Sequence, residues 1–228
     1  MISRHTLLPA RLTKIDETNR GDHTFLQPAD QCYFFGEYYA QQGYEGGGTN
    51  QLIFNFKCKP SDAALNPPRA KYKALAISEI ARGLRVVFPQ RIAESFTWVP
   101  LPTSKIKGHP DYDDRLIRVL CLAFDGFDID VRELLKQNQS TDADHRAGVR
   151  QTLVELGEIV ALDMDVLKVS PLRDRIMLFD DVLVTGKHIR VCTQRLRETV
   201  PLTVSIMGLT IARRVLTGPI EAFSNVTS

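Results

Sequence analysis

Residues 176–188, read as Ile-Met-Leu-Phe-Asp-Asp-Val-Leu-Val-Thr-Gly-Lys-His, constrain this chain more than any other stretch. Four apolar residues run into two adjacent acids, a short apolar step leads to Thr185-Gly186, and a helical pattern follows. A continuous apolar run suits a strand covered on both faces, as in parallel sheets flanked by helices. The acids then emerge at the carboxyl end of that strand, where open parallel sheets bind ligands. Thr-Gly at a helix start adds a hydroxyl and backbone N–H groups, which together favour an anion. The full order is the recipe for holding a sugar phosphate. In the plainer alternative, Asp180 and Asp181 only end a strand and favour the helix electrostatically, a task for which one acid suffices. A nucleotide P-loop does not fit, because Gly186-Lys187 is followed by His188 and not by Ser or Thr.

The surroundings are those of an ordinary globular chain. With 228 residues, 43% hydrophobic and 25% charged, one sizeable core is expected, with an appended subregion. The net charge of +2 comes from 29 basic against 27 acidic residues, so no overall field demands nucleic acid or membrane. No apolar stretch reaches the length of a membrane span, and Met-Ile-Ser-Arg-His at the start lacks a secretory apolar core. The expectation is a cytoplasmic protein. Cys32, Cys58, Cys121 and Cys192 show no paired CxxC spacing, which points to free buried thiols and away from zinc or disulfides.

Along the chain the pattern reads as α/β. Residues 31–57 suggest two strands joined by the glycine-rich turn at 43–50, a hairpin. Pro67-Pro68 opens a helix over 69–84, with Tyr72, Ala76, Ile77, Ile80, Ala81 and Leu84 at helical spacing. Residues 96–101 read as an apolar strand in which Trp98 packs in the core. That strand delivers Thr103, Ser104 and Lys105, then Lys107, His109, Tyr112 and Arg115. Hydroxyls, backbone amides and a Lys point charge suit phosphate, whereas a solvated loop with a basic fringe is the plainer reading. Asp113-Asp114 read as the cap of a helix carrying Leu116, Val119, Leu120 and Ala123. Cys192 shares an apolar helix face with Ile189, Leu196 and Val200. Phe179 and Leu209 are expected on neighbouring central strands. His5 and His23 read as surface residues, and His145 as part of a solvated charged stretch.

Residues 176–188 closely resemble the phosphoribosyl pyrophosphate (PRPP) motif of the type I phosphoribosyltransferases, an apolar strand with paired acids followed by a Thr-Thr-Gly-x-Thr loop. The resemblance implies that Asp180 and Asp181 accept hydrogen bonds from the ribose 2′- and 3′-hydroxyls and act in catalysis together with Lys105. It implies that Val184, Thr185, Gly186, Lys187 and His188 cradle the 5′-phosphate. Val184 and His188 stand where the family usually has Thr, so two hydroxyl donors are gone, while backbone donors and the charge of Lys187 and His188 remain.

Val-Pro-Leu-Pro at 99–102, followed by a basic, glycine-containing segment, looks like the ComF-like branch of that family, here without the branch's N-terminal zinc cluster. By layout the resemblance extends over 51–215, including the arginines at 146 and 150. It implies pyrophosphate binding by Thr103, Ser104 and Lys105, and a flexible loop carrying Lys107, His109, Tyr112 and Arg115. Mg²⁺ would arrive with PRPP, with no direct protein ligand. The implied fold is a three-layer α/β phosphoribosyltransferase type with a mainly parallel central sheet. Residues 96–228 would form the core, and residues 1–95 a hairpin-and-helix hood on one compact domain.

The implied function is transfer or cleavage of a phosphoribosyl group with release of pyrophosphate, the nitrogen acceptor being unreadable. Two alternatives stand beside it. One is a PRPP- or nucleotide-sensing regulatory module that acts on a partner protein or nucleic acid. The other, by analogy alone, is an accessory protein of DNA uptake or a defence cassette. Homodimers are common among such relatives.

Overall fold

The computed structural model describes residues 8–140 and 152–216. The elements run β1 (Thr13–Lys14), β2 (Gln31–Tyr38), α1 (Gly48–Phe56), α2 (Pro60–Leu65), α3 (Pro67–Val87), α4 (Gln90–Ala93), β3 (Thr97–Pro100) and α5 (Arg115–Ala123). They continue with β4 (Asp130–Val131), β5 (Leu135–Gln137), α6 (Leu153–Ile159), β6 (Val160–Leu162), α7 (Met164–Leu167), β7 (Arg175–Leu183), α8 (Lys187–Arg197) and β8 (Ser205–Arg214). Six strands form one sheet in the order β1-β2-β8-β7-β3-β4, parallel throughout except for the antiparallel β1–β2 edge. β5 and β6 make a separate antiparallel pair. Phe179 lies opposite Leu209 in the β7–β8 register, as expected.

Alternation along β7 builds the layers. Successive strand residues point to opposite faces, so Met177 and Phe179 enter a core with α1, α3 and α5, whereas Ile176 and Leu178 enter a second core with α6 and α8. Helices therefore cover both faces, which is why the strand is apolar at every position from Ile176 to Phe179. Trp98 is fully buried against Phe88, Phe96 and Phe124. Ile189, Cys192, Leu196 and Val200 are buried on the second face, and burial pushes the Cys32 thiol up to about 12. Cys58 and Cys192 are buried too, but Cys121 is exposed, contrary to a uniform set of buried thiols.

Local chemistry sets the helix ends. The Asn66 side chain accepts from Arg69 N–H at 3.3 Å, and the prolines that follow occupy the first turn of α3, where their missing donors cost nothing. α3 stops at Val87 because Pro89 disfavours helical backbone at Phe88. Thr152 and Glu155 form a reciprocal capping box on α6. No helix among the described residues is long and apolar enough to cross a membrane.

The expected hairpin over 31–57 is replaced by one strand and one helix. Leu52, Ile53 and Phe56 are buried at helical spacing while Phe54 between them is 51% exposed, a pattern that a strand does not produce. Gly47, at φ 97°, supplies the left-handed residue that turns the chain into α1. Asn50 then ties the glycine segment down, accepting from Tyr39 N–H and donating to the carbonyls of Tyr39 and Gly43. β2 pairs in parallel with β8, so this strand belongs to the main sheet.

Candidate functional site

β3 and β7 are neighbours whose chain connections leave in opposite directions. β3 leads through α5 to β4 on one side, and β7 leads through α8 to β8 on the other. Between them lies the topological switch point of the sheet, the place where open parallel sheets take ligands, beyond the carboxyl ends of the strands. Both sequence-predicted loops, 101–107 and 184–186, leave the sheet at this point. Leu101 N–H donates to Phe179 O at 2.9 Å and anchors the first loop against β7.

The acid pair sits differently from its expectation. β7 continues to Leu183, so Asp180 and Asp181 lie inside the strand, beyond the point where β3 stops opposite Phe179. Adjacent strand residues diverge, and the two carboxylates face opposite layers. Asp180 meets His188 on α8, with Nδ1 3.0 Å from Oδ2. Asp181 meets Lys57 at 3.1 Å and Arg115 Nη2 at 2.6 Å. Both acids are engaged by internal partners in this state, Asp180 by His188 and Asp181 by Lys57 and Arg115.

The Asp181 contacts extend inward. Arg115 Nη1 also donates to Asp113 at 2.8 Å, and Lys73 Nζ reaches the same carboxylate at 2.6 Å and the carbonyl of Cys58 at 2.5 Å. Asp113 is thus a buried ion-pair member first; it caps α5 only by accepting from Arg115 N–H, and Asp114 at the N-cap makes no side-chain cap bond. Burial opposes ionisation of Asp181, but Lys57 and Arg115 outweigh it and hold the carboxyl below the usual range. Burial likewise opposes charge on His188, and Asp180 outweighs it, raising the imidazole above its ordinary value. Arg115 follows the same logic: its burial is overcome by Asp181 and Asp113.

The 184–188 turn has one covered side. Gly186, at φ 80°, starts α8. His23 Nδ1–H donates to Val184 O at 2.7 Å, Phe25 N–H donates to Thr185 O at 2.9 Å, and Lys187 Nζ lies 5.4 Å from the Phe25 ring centroid. Leu26 packs so closely that a Cβ on Gly186 would stand 2.6 Å from its Cγ. The carbonyl side of the turn is therefore held by residues 23–26. On the amide side, the N–H groups of Thr185, Gly186 and His188 find no partner among the described residues.

His23, expected at the surface, is fully buried under this contact, because its imidazole satisfies a carbonyl of the turn. His23 Nε2, His188 Nε2 and the Thr210 hydroxyl are buried without partners among the described residues, and Thr210 lies directly opposite Asp180 in β8.

A cavity of about 310 Å³ lies beside the first loop and is lined by Thr103, Lys105, Lys107 and Tyr112 with Glu133 and Asp114. The structure thus gathers most of the proposed pyrophosphate and flexible-loop residues, but neither the acid pair nor residues 184–188 line this cavity. Lys107 Nζ pairs with Glu133 at 2.5 Å, and Tyr112 donates to the same carboxylate at 3.0 Å. Burial and then Glu133 raise the Tyr112 phenol. Ser104 shares the loop without lining the cavity. His109 turns inward to accept from Asp111 N–H, and Arg115 points away to the acids.

Sequence reasoning missed Lys57, Lys73 and the buried role of Asp113. Their partners stand 124 and 40 residues away, so no local spacing marks them. The arginines at 146 and 150, with His145 and His5, lie outside the described residues. Among the described residues no group of three or more His, Cys, Asp or Glu converges on a metal position. No protein-family model matches this chain, and no curated protein matches it.

Proposed function

We propose that this chain is a phosphoribosyltransferase-like protein that binds PRPP or a related nucleotide at the switch point between β3 and β7. One observation carries the proposal: both loops chosen for phosphate chemistry leave the sheet at the one crevice that an open parallel sheet reserves for ligands. The open amide side of the turn at 185–188, at the start of an eleven-residue helix, supports a 5′-phosphate there. Thr103, Ser104 and Lys105 would hold the pyrophosphate, and Mg²⁺ would enter with it.

In this reading pyrophosphate leaves C1′ of PRPP as a nitrogen acceptor bonds to it. The transition state has ribose-cation character. Asp180 and Asp181 favour the developing positive charge, and positioned donors hold the departing anion. The ribose hydroxyls compete with Lys57, the half-exposed partner of Asp181. His188 replaces a hydroxyl donor with an imidazole held by Asp180.

A second reading has its own observation. Both acids are already satisfied by Lys57, Arg115 and His188, which supports a module that senses PRPP or a nucleotide without turning it over. Calorimetry with PRPP and Mg²⁺, followed by a pyrophosphate-release assay over a panel of nitrogen acceptors, separates the two. Binding with release supports transfer, binding without release supports sensing, and no heat at millimolar PRPP would overturn both.

A further inference from the structure

We infer that the opposite, amino edge of the sheet carries a second anion site, one that takes an oligophosphate chain. An open basin of about 730 Å³ lies there, lined by Arg91, Ile92, Ser95, Arg173, Asp174 and Arg175. Arg91 belongs to α4, just before β3, and Arg175 is the first residue of β7. Because β3 and β7 are parallel, their starts share one edge, and β7 separates that edge from the switch point by roughly 25 Å at about 3.3 Å per residue. The basin is therefore distinct from the crevice described above.

The state of its arginines supports a ligand role. Elsewhere Arg132 uses its nitrogens on Asp130, Ser170 and Pro171, and both terminal nitrogens of Arg213 are taken by Asp22 and Glu37. The side chains of Arg91 and Arg175 are exposed and have no hydrogen-bond or ion-pair partner among the described residues. Arg173 is only partly used, donating to Asp128 O at 2.8 Å and lying 3.6 Å from the Asp128 carboxylate. Ser95 keeps its hydroxyl on Ile92 O. Guanidinium groups offer paired donors that match phosphate oxygens and stay charged at any relevant pH.

The charge balance sets the ligand class. Asp128 offsets Arg173, and Asp174 stands against Arg91 and Arg175, so the basin keeps one net positive charge and two guanidiniums whose donors are open to phosphate oxygens. The volume falls within the roughly 300–1,000 Å³ of small-molecule sites and gives a diphosphate or triphosphate chain room to touch several guanidiniums at once. Inorganic polyphosphate and a nucleoside triphosphate both supply such a chain and present the same oxygens.

The test is calorimetry on the full chain at low salt, with inorganic tripolyphosphate and ATP as separate probes. Arg91→Gln/Arg175→Gln should weaken tripolyphosphate binding about ten-fold or more, the scale of losing charge-assisted hydrogen bonds, with an unchanged melting temperature. Added salt should weaken wild-type binding in the same direction. Lys105→Gln, at the other edge, should leave this binding event intact, which separates it from any pyrophosphate binding at the switch point. ATP binding more tightly than tripolyphosphate assigns the site to nucleotides; equal affinity assigns it to the phosphate chain alone. Wild-type affinity in the double variant, or no binding at millimolar tripolyphosphate, overturns the inference. So does an oligothymidylate that displaces tripolyphosphate at a lower phosphate concentration. None of these results bears on the PRPP reading.

Discussion

Removing Arg115 from the buried ion network should cost this protein far more than removing Lys57, although both cations contact the same carboxylate. Arg115 is 13% exposed and bridges Asp181 at 2.6 Å and Asp113 at 2.8 Å. Arg115→Met leaves two buried acids with one cation each: Asp181 keeps only Lys57, and Asp113 keeps only Lys73. Breaking a buried ion pair from one side costs about 3–5 kcal/mol, since the remaining charge stays desolvated. Lys57 is 47% exposed, so its pair is screened by water and belongs with surface pairs worth about 0–1 kcal/mol.

For a chain of this length the Arg115 loss corresponds to a fall in melting temperature of roughly 6–20 °C, at about 2–4 °C per kcal/mol. Urea unfolding and calorimetry at pH 7 on Arg115→Met, Lys57→Met and the pair would measure it. The pH dependence gives a second arm. The Asp181 carboxyl is held below its unfolded value of about 3.9, so its contribution is present above that pH and is lost as pH falls through the folded value. Asp181→Asn should therefore be less stable than wild type at pH 7 and converge on it in acid. Equal costs for Arg115→Met and Lys57→Met, within about 0.5 kcal/mol, would refute the reasoning, because buried and half-exposed cations would then be equivalent.

Two further outcomes follow from the turn. Gly186→Ala forces a side chain into left-handed backbone and against Leu26, and should destabilise by about 1–3 kcal/mol; adding Leu26→Ala should recover the steric part but not the backbone part, as urea midpoints would show. His188 has a raised value in the folded state, so its contribution is complete below its unfolded value of about 6.5 and disappears as pH rises through the folded value. The stability difference between wild type and His188→Gln should shrink across that window, with an imidazole NMR titration midpoint above about 6.5; a midpoint below that value would remove the Asp180 pairing.

The layers of this protein were legible in the chain because they follow from short-range pattern. The apolar run at 176–179 has one stable use, a strand buried on both faces, and the spacing of Ala76, Ile77, Ile80 and Leu84 has one stable use, a helix against that sheet. The glycine-rich stretch by itself reads as a hairpin turn, because glycines mark turns before helices and between strands alike. Only burial of Leu52, Ile53 and Phe56 on one side decided for α1.

The candidate site divides in the same way. The two loops were found from residue order, since phosphate chemistry asks for hydroxyls, amides and glycine in sequence. Which groups occupy the acids was not written locally. Asp181 finds Lys57 from 124 residues away and Arg115 from 66, and His23 closes on Val184 across 161 residues. A strand also sends neighbouring side chains to opposite faces, so adjacency of Asp180 and Asp181 in the chain became separation in space. Periodicity determines elements because it acts over a few residues; the pairing of buried charges is decided by the assembled layers, where desolvation makes each group take whichever partner the packing brings.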